Sequence, residues 1–389
     1  GMPWKNYATA TALATMIMPA LAQSPINGEF AYVSDYLRNN SGGIRTGSAY
    51  LQNVDVTFEF DVEQLVGLSN GNLFAYFLWN DDTTFSDRYP GDGQVISNID
   101  TTEALRLYEF WYEHSFSESV NLRVGLYDLN SEFDAIDTAG LFLNSSHGIG
   151  PDYSQTGENG PSIFPSTSFA ARLHWDLSEN SLVRYGIFDG VPGDPNDASA
   201  TAVQFNGGDG FLQALEFNHT LSNGIRLGVG GFSYSEDFET INRTDAMGNP
   251  LRDDGNSGVY TFADGTVYED ADGHSMTAFV RYGIANEKLN PLQGYFGLGA
   301  AFTGLVPGRP NDQLGLAIAS ARSGDDFRAA TGAESHETTI ELTYSAQITD
   351  WLRIQPDFQY IINPAADPML KNAFVIGVRF EVASGFGFN

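Results

Sequence analysis

The chain has 389 residues, with 49 Asp+Glu against 19 Lys+Arg, a formal charge of −30 and no cysteine. So acidic a chain excludes binding to nucleic-acid phosphates, which depends on basic side chains, and argues against docking on anionic lipid. The absence of cysteine excludes disulfides, thiolate metal sites and cysteine nucleophiles.

At the N-terminus, Met2–Ala22 carries Lys5, then an apolar stretch ending in Ala20-Leu21-Ala22, and reads as a signal peptide cut before Gln23. Thr residues interrupt it, and no later stretch approaches the roughly 20 consecutive apolar residues of a spanning helix. The exported part, residues 23–389, is then either soluble or a barrel, and no linker or composition shift divides it.

Period-two alternation, the mark of a strand with one apolar and one polar face, runs along this whole part. It begins at Phe30–Leu37 and is clearest in Val54–Val62, where Val54, Val56, Phe58, Phe60 and Val62 alternate with Asp55, Thr57, Glu59 and Asp61. Leu73–Trp79, Leu105–Glu113, Val120–Tyr127, Phe169–Trp175, Leu182–Phe188, Leu212–Thr220 and Ile225–Ser233 follow. Met276–Ile284, Tyr295–Phe302, Leu314–Ser320, Glu337–Ile348, Leu352–Ile362 and Phe374–Phe380 complete about fifteen candidates. Single-chain bacterial barrels favour even counts, so one strand is missed or merged.

Short connections at Ser115–Ser119, Leu177–Ser181, Leu221–Gly224 and Thr349–Trp351 alternate with long ones. The long ones run over Asp81–Glu103, Asp128–Ser166, Asp189–Gly210, Glu236–Gly273 and Arg322–Ser335, the asymmetry of periplasmic turns and extracellular loops. Aromatics at strand ends (Tyr76, Trp79, Phe110, Tyr112, Trp175, Phe358, Tyr360) sit as interfacial girdles would. The expected fold is all-β: a transmembrane up-and-down antiparallel β-barrel of about 16 strands with long extracellular loops.

Several stretches resemble the carbohydrate-selective porin family of the OprB type, over most of residues 23–389. The most telling is Val124-Gly-Leu-Tyr-Asp-Leu-Asn-Ser-Glu-Phe-Asp134, followed by Asn144-Ser-Ser-His-Gly-Ile-Gly-Pro-Asp-Tyr-Ser154. Tyr185-Gly-Ile-Phe-Asp-Gly-Val-Pro192, Arg309-Pro-Asn-Asp-Gln-Leu-Gly315 and Leu352-Arg-Ile-Gln-Pro-Asp-Phe-Gln-Tyr360 are similar to the family in order and approximate spacing. The resemblance implies a sixteen-stranded barrel that passively admits monosaccharides through a lumen narrowed by inward-folded loops. Here Phe388 is penultimate, a departure from the terminal aromatic common in such barrels.

If each apolar parity faces lipid, the opposite parity sends Arg106, Arg123, Arg172, Arg184, Arg226, Arg281, Arg353 and Arg379 into the lumen. Their strands add Glu109, Trp111 and Glu113, Asn121 and Tyr127, and Gln355, Asp357 and Gln359. Guanidiniums donate to hydroxyls, carboxylates accept from them, and Trp111 can lie against a sugar ring. The solute-contacting candidates are therefore Arg106, Glu109, Trp111, Arg123, Arg184, Arg353, Gln355 and Asp357; the alternative is that these arginines pair with carboxylates to brace the wall.

Asp128–Ser166, with Phe133, Asp134, Asn144 and Ser145, is the candidate constriction loop, an external lid being the alternative. The acidic Arg252–Gly273 segment does not have EF-hand spacing and reads as a solvated external loop. The histidines show no close pairing, and HExxH, GxSxG and phosphate-cradling motifs are missing. The sequence thus points to a passive sugar porin in the Gram-negative outer membrane, in contact with its lipid and lipopolysaccharide, with no cofactor, metal or nucleic acid. A general or cation-leaning porin is the runner-up and an outer-membrane hydrolase or adhesin the third reading, while monomer and homo-oligomer both remain open.

Overall fold

The computed structural model describes residues 24–388, so the candidate signal peptide lies outside the described residues. In chain order the strands are β1 (Ile26–Gly43), β2 (Gly47–Asp61), β3 (Gly71–Asn80), β4 (Ala104–Ser115), β5 (Val120–Tyr127), β6 (Ser168–Asp176), β7 (Ser181–Asp189), β8 (Phe211–Thr220) and β9 (Arg226–Tyr234). There follow β10 (Phe238–Thr244), β11 (Pro250–Asp253), β12 (Ser257–Glu269), β13 (Ser275–Ala285), β14 (Leu292–Thr303), β15 (Gln313–Ser323), β16 (His336–Gln347), β17 (Leu352–Ile362) and β18 (Lys371–Phe388). All but β10 and β11 form one closed antiparallel barrel of sixteen strands, sealed where β1 pairs with β18. Closure leaves no unpaired edge, and strand-to-strand pairing supplies backbone partners without water around the wall, as a bilayer demands. No helix among the described residues is long and apolar enough to cross a membrane.

Alternation sorts the wall as expected. On β8, Leu212, Ala214, Glu216 and Asn218 are buried inside while Phe211, Leu215 and Phe217 are exposed outside. The short turns share one device, a backbone N–H donated to the carbonyl four residues on: Phe116 to Val120, Leu177 to Ser181, Leu221 to Ile225 and Ile348 to Leu352.

Two expectations are corrected. Glu236–Gly273 is not one long loop, because it contains the missing barrel strand β12, followed by a fifth short turn closed from Asp270 to His274. Its alternation is masked because the inward Tyr260 and Phe262 are as apolar as the outward Val259; they pack against the loop inside. Part of the acidic segment is therefore wall, and Asp264 is buried there. Tyr76 is no girdle residue either: it is fully buried and its hydroxyl donates to Asp55. Phe110, Trp175, Phe358 and Tyr360 are exposed on the outer surface.

Strict alternation would also put Arg106 and Glu109 on opposite faces, since their numbers differ by three. A register shift resolves this, Tyr76 pairing with Glu109 but Phe77 with Leu107, so that Tyr108 is an extra residue. Such a bulge turns Arg106, Tyr108 and Glu109 all inward, where they are buried.

Candidate functional site: the loop-narrowed lumen

The 128–167 connection between β5 and β6 folds into the barrel and crosses it. A loop without ladder partners must still satisfy its N–H groups, and wall carboxylates do so here. Glu109 accepts from Asp128 N at 2.9 Å, Glu216 from Asp134 N at 2.7 Å and Asp264 from Asp137 N at 2.8 Å. Glu341 accepts from Leu143 N at 2.8 Å and Asn144 N at 3.1 Å.

The 81–103 connection between β3 and β4, read only as long, also turns inward. Glu337 receives Gly93 N at 2.7 Å and Gln94 N at 3.0 Å, and Ser97 donates to Asp35 at 2.6 Å. The two loops are tied together where Ser146 donates to Gln94 at 2.8 Å and Asn98 N to the Leu143 carbonyl at 2.8 Å.

Behind the crossing loops the lumen is closely packed. Arg281 binds Asp134 at 2.9 Å and also Asp152, with all three side chains at most 2 % exposed. Arg379 pairs with Asp35 at 2.7 Å and reaches Asn98 at 2.7 Å. The void between loop and wall beside Arg281, His147 and Tyr295 is only about 10 Å³. Burial pushes the His147 imidazole down to about 3 and, against the pull of Arg281, leaves the Asp152 carboxyl raised.

The β4–β7 wall is different. Arg123 donates to Glu113 at 2.9 and 2.6 Å and lies 3.6 Å from the centre of the Trp111 ring, which stacks on Phe74. Glu132, on the loop, meets Arg172 at 2.7 Å, Arg184 at 3.3 Å and Arg123 at 3.5 Å. Burial would raise the Glu132 carboxyl, but the three guanidiniums outweigh it and hold it at about 2. Arg184 also donates to His174 at 3.1 Å, whose other ring nitrogen meets Asp176 at 2.9 Å. Glu113, Arg123, Glu132 and Arg184 remain 15–16 % exposed to the lumen.

All eight arginines thus point inward, but into two settings. Trp111, Arg123 and Arg184 are brought together with Glu113, Glu132 and Arg172. Arg106 is apart, bonded to Ser166 at 2.5 Å and to the Ala198 carbonyl; Arg226 holds Asn218 at 2.8 Å and the Ala135 carbonyl. Arg353 pairs with Glu381, Gln355 donates to the Leu141 carbonyl at 2.8 Å, and Asp357 accepts from Gln359 at 2.8 Å. Of the constriction residues, Phe133 is buried in the core, Asp134 and Asn144 anchor the loop, and Ser145 bonds through its N–H to the Val95 carbonyl at 3.0 Å. The parity rule that yields the arginines also yields Glu216, Glu337 and Glu341; Glu132 has no periodicity to reveal it. At the 270–274 turn, Asp270, Asp272 and His274 converge, but Asp270 is engaged within the turn by the Asp272 and His274 N–H groups at 3.0 Å each.

A closed sixteen-stranded wall, apolar outside and charged inside around inward-folded loops, is a channel architecture of the outer membrane. Residues 45–383 match the model of the carbohydrate-selective porin, OprB family. The chain belongs to that family. It is 21 % identical to Porin B of Pseudomonas aeruginosa over 396 residues, 90 % of this chain and 86 % of that protein. It superposes on the high-pH structure of Pseudomonas putida OprB with a TM-score of 0.82 at 16 % identity, covering 95 % and 96 % of the two chains. For the outer-membrane channel DcaP of Acinetobacter baumannii the TM-score is 0.53 at 9 % identity, over 92 % and 96 %.

Proposed function

We propose that the protein is a passive, monosaccharide-preferring porin whose solutes pass along the β4–β7 wall, touching Glu113, Arg123, Glu132 and Arg184, with Trp111 as the platform that holds Arg123. The observation that carries this is the Arg123 guanidinium lying over Trp111 between two carboxylates, with water access on one side. Arg123 and Phe74 cover the two faces of Trp111, so the contacts to a sugar come from the charged groups, whose donors and acceptors replace the hydration of its hydroxyls. Such contacts are shared among several groups, so each is weak enough to release the solute again. In this reading Arg106, Glu109, Arg353, Gln355 and Asp357 act as braces that hold loops and strands in place, the alternative their side-chain chemistry always allowed.

No cofactor or bond-breaking step enters the proposal. Ser181 meets His219 at 2.6 Å, but among the described residues no carboxylate bonds the other ring nitrogen to complete a hydrolytic triad. The test is swelling of proteoliposomes in isosmotic monosaccharides, disaccharides and amino acids of matched size. Monosaccharides are expected to enter faster than size-matched amino acids; entry ordered by size alone would make the protein a general diffusion porin, and no entry would reject the channel reading.

A further inference from the structure

Across the barrel from the β4–β7 wall, a second pocket opens at the long-loop mouth, the extracellular end. Its walls come from β14, β15, β16 and the 363–370 connection, from both inward loops, and from the short 325–331 helix after β15. The void is about 160 Å³. A cavity of roughly 150 Å³ takes one six-membered ring. Leu292 and Ala321 form its apolar side. Ser323 Oγ lines it, buried to 1 % exposure and without a hydrogen-bond partner, a cost that an entering polar group removes. Gln155 donates through Nε2 to the Gly93 carbonyl at 2.7 Å, which fixes its amide and leaves Oε1 to accept. Phe327 is half-buried on the helix and, among the described residues, meets neither another ring nor a guanidinium, whereas both faces of Trp111 are covered. Glu337 closes the floor, held by the Gly93, Gln94 and Ala365 N–H groups at 2.7, 3.0 and 2.6 Å. No cationic side chain lines the pocket among the described residues, so an anionic solute meets only the charge of Glu337 and is repelled.

We propose that this pocket is a capture site for one neutral pyranose ring, which it holds at the channel mouth before passage along the β4–β7 wall. The C–H face of the ring lies on Phe327, and its hydroxyls bond Ser323 Oγ and Gln155 Oε1. Gln155 belongs to one inward loop and its acceptor Gly93 to the other, so a ring held here rests on the two segments that narrow the lumen. The choice of solute rests on the sugar-porin reading; the pocket itself does not.

The experiment places a reporter in the pocket as Phe327→Trp, in the full chain in detergent micelles, and titrates glucose against its fluorescence after subtraction of the wild-type signal. A saturable change is expected with glucose. Mannitol, an open-chain polyol with no ring face to stack, should bind about fivefold more weakly. Ser323→Ala in the same background should raise the half-saturating glucose concentration about threefold, and Gln155→Ala serves as the second variant in case Ser323→Ala fails to fold. Phe205→Ala, at an exposed ring packed on Phe169, should leave it unchanged. A flat titration, equal affinity for mannitol, or half-saturation unmoved by the Ser323 and Gln155 variants would each overturn the proposal. The signal arises at 327 and does not require permeation. A saturable response beside liposome swelling ordered by size alone would keep the capture site and reject monosaccharide preference in the lumen; a flat response beside preferential swelling would do the reverse.

Discussion

The two sides of the lumen use the same residue types for opposite ends. Around Arg281, arginine and carboxylates are at most 2 % exposed and fix a loop; around Arg123, the same pairing keeps 15–16 % exposure. The difference lies in what the pair is packed under. A fully buried pair costs desolvation and is strongly destabilising to break, whereas one that keeps some exposure is cheaper to rearrange and can exchange partners with a passing hydroxyl. Charge inside a barrel therefore does not by itself mark a solute path; in the proposed reading, residual exposure does.

The sharpest way to break this comparison is Arg281→Ala. It strands Asp134 and Asp152 without their cation, at a cost on the order of 3–5 kcal/mol, more than the loop can bear in place. Hydrogen exchange in 134–153 should accelerate and single-channel conductance should rise; unchanged exchange would refute the clamp.

Acid should act on the same side. His147 is held neutral with its affinity for protons depressed from 6.5 to about 3, so the released loop binds more protons than the docked one between those values. The contribution of His147 to docking is thus full above pH 6.5 and falls by on the order of 1 kcal/mol for each unit the pH drops toward 3. Glu132 runs the other way in range: its depressed carboxyl keeps its bonds above 4.5 and gives them up only as the pH falls through about 2. Exchange in 138–150 is expected to speed up by pH 5 in wild type but not in His147→Phe, while sugar preference persists.

On the hydrated side, Arg123→Ala removes the cation over Trp111 and should reduce monosaccharide preference by roughly fivefold in the swelling assay. Its thermal transition should stay close to that of wild type; a loss of folding with preference intact would make Arg123 a brace. Smallest of all, Arg252→Ala deletes an ion pair to Asp237 in which both side chains are 53 % exposed, and neither flux nor melting should change measurably.

Most of the wall was legible from alternation because its inner face is polar and its outer face apolar. The failure at β12 is physical: Tyr260 and Phe262 are apolar on the inner face because a loop, not water, covers them. The same cause hid the division among the arginines, since parity tells which way a side chain points but not what another part of the chain lays over it. The inward path of 81–103 was illegible for the same reason, its acceptors Glu337 and Asp35 being supplied by strands at opposite ends of the chain.

That distance has a consequence for assembly. Asn144 N bonds to a carboxylate 197 residues away, and Gly93 N to one 244 residues away, so neither loop has its full set of acceptors until β16 has joined the sheet. Closing such long intervals costs chain entropy that is recovered only after the intervening strands have paired. The barrel must zip before its plug can set, and the pore is narrowed as the final act of folding.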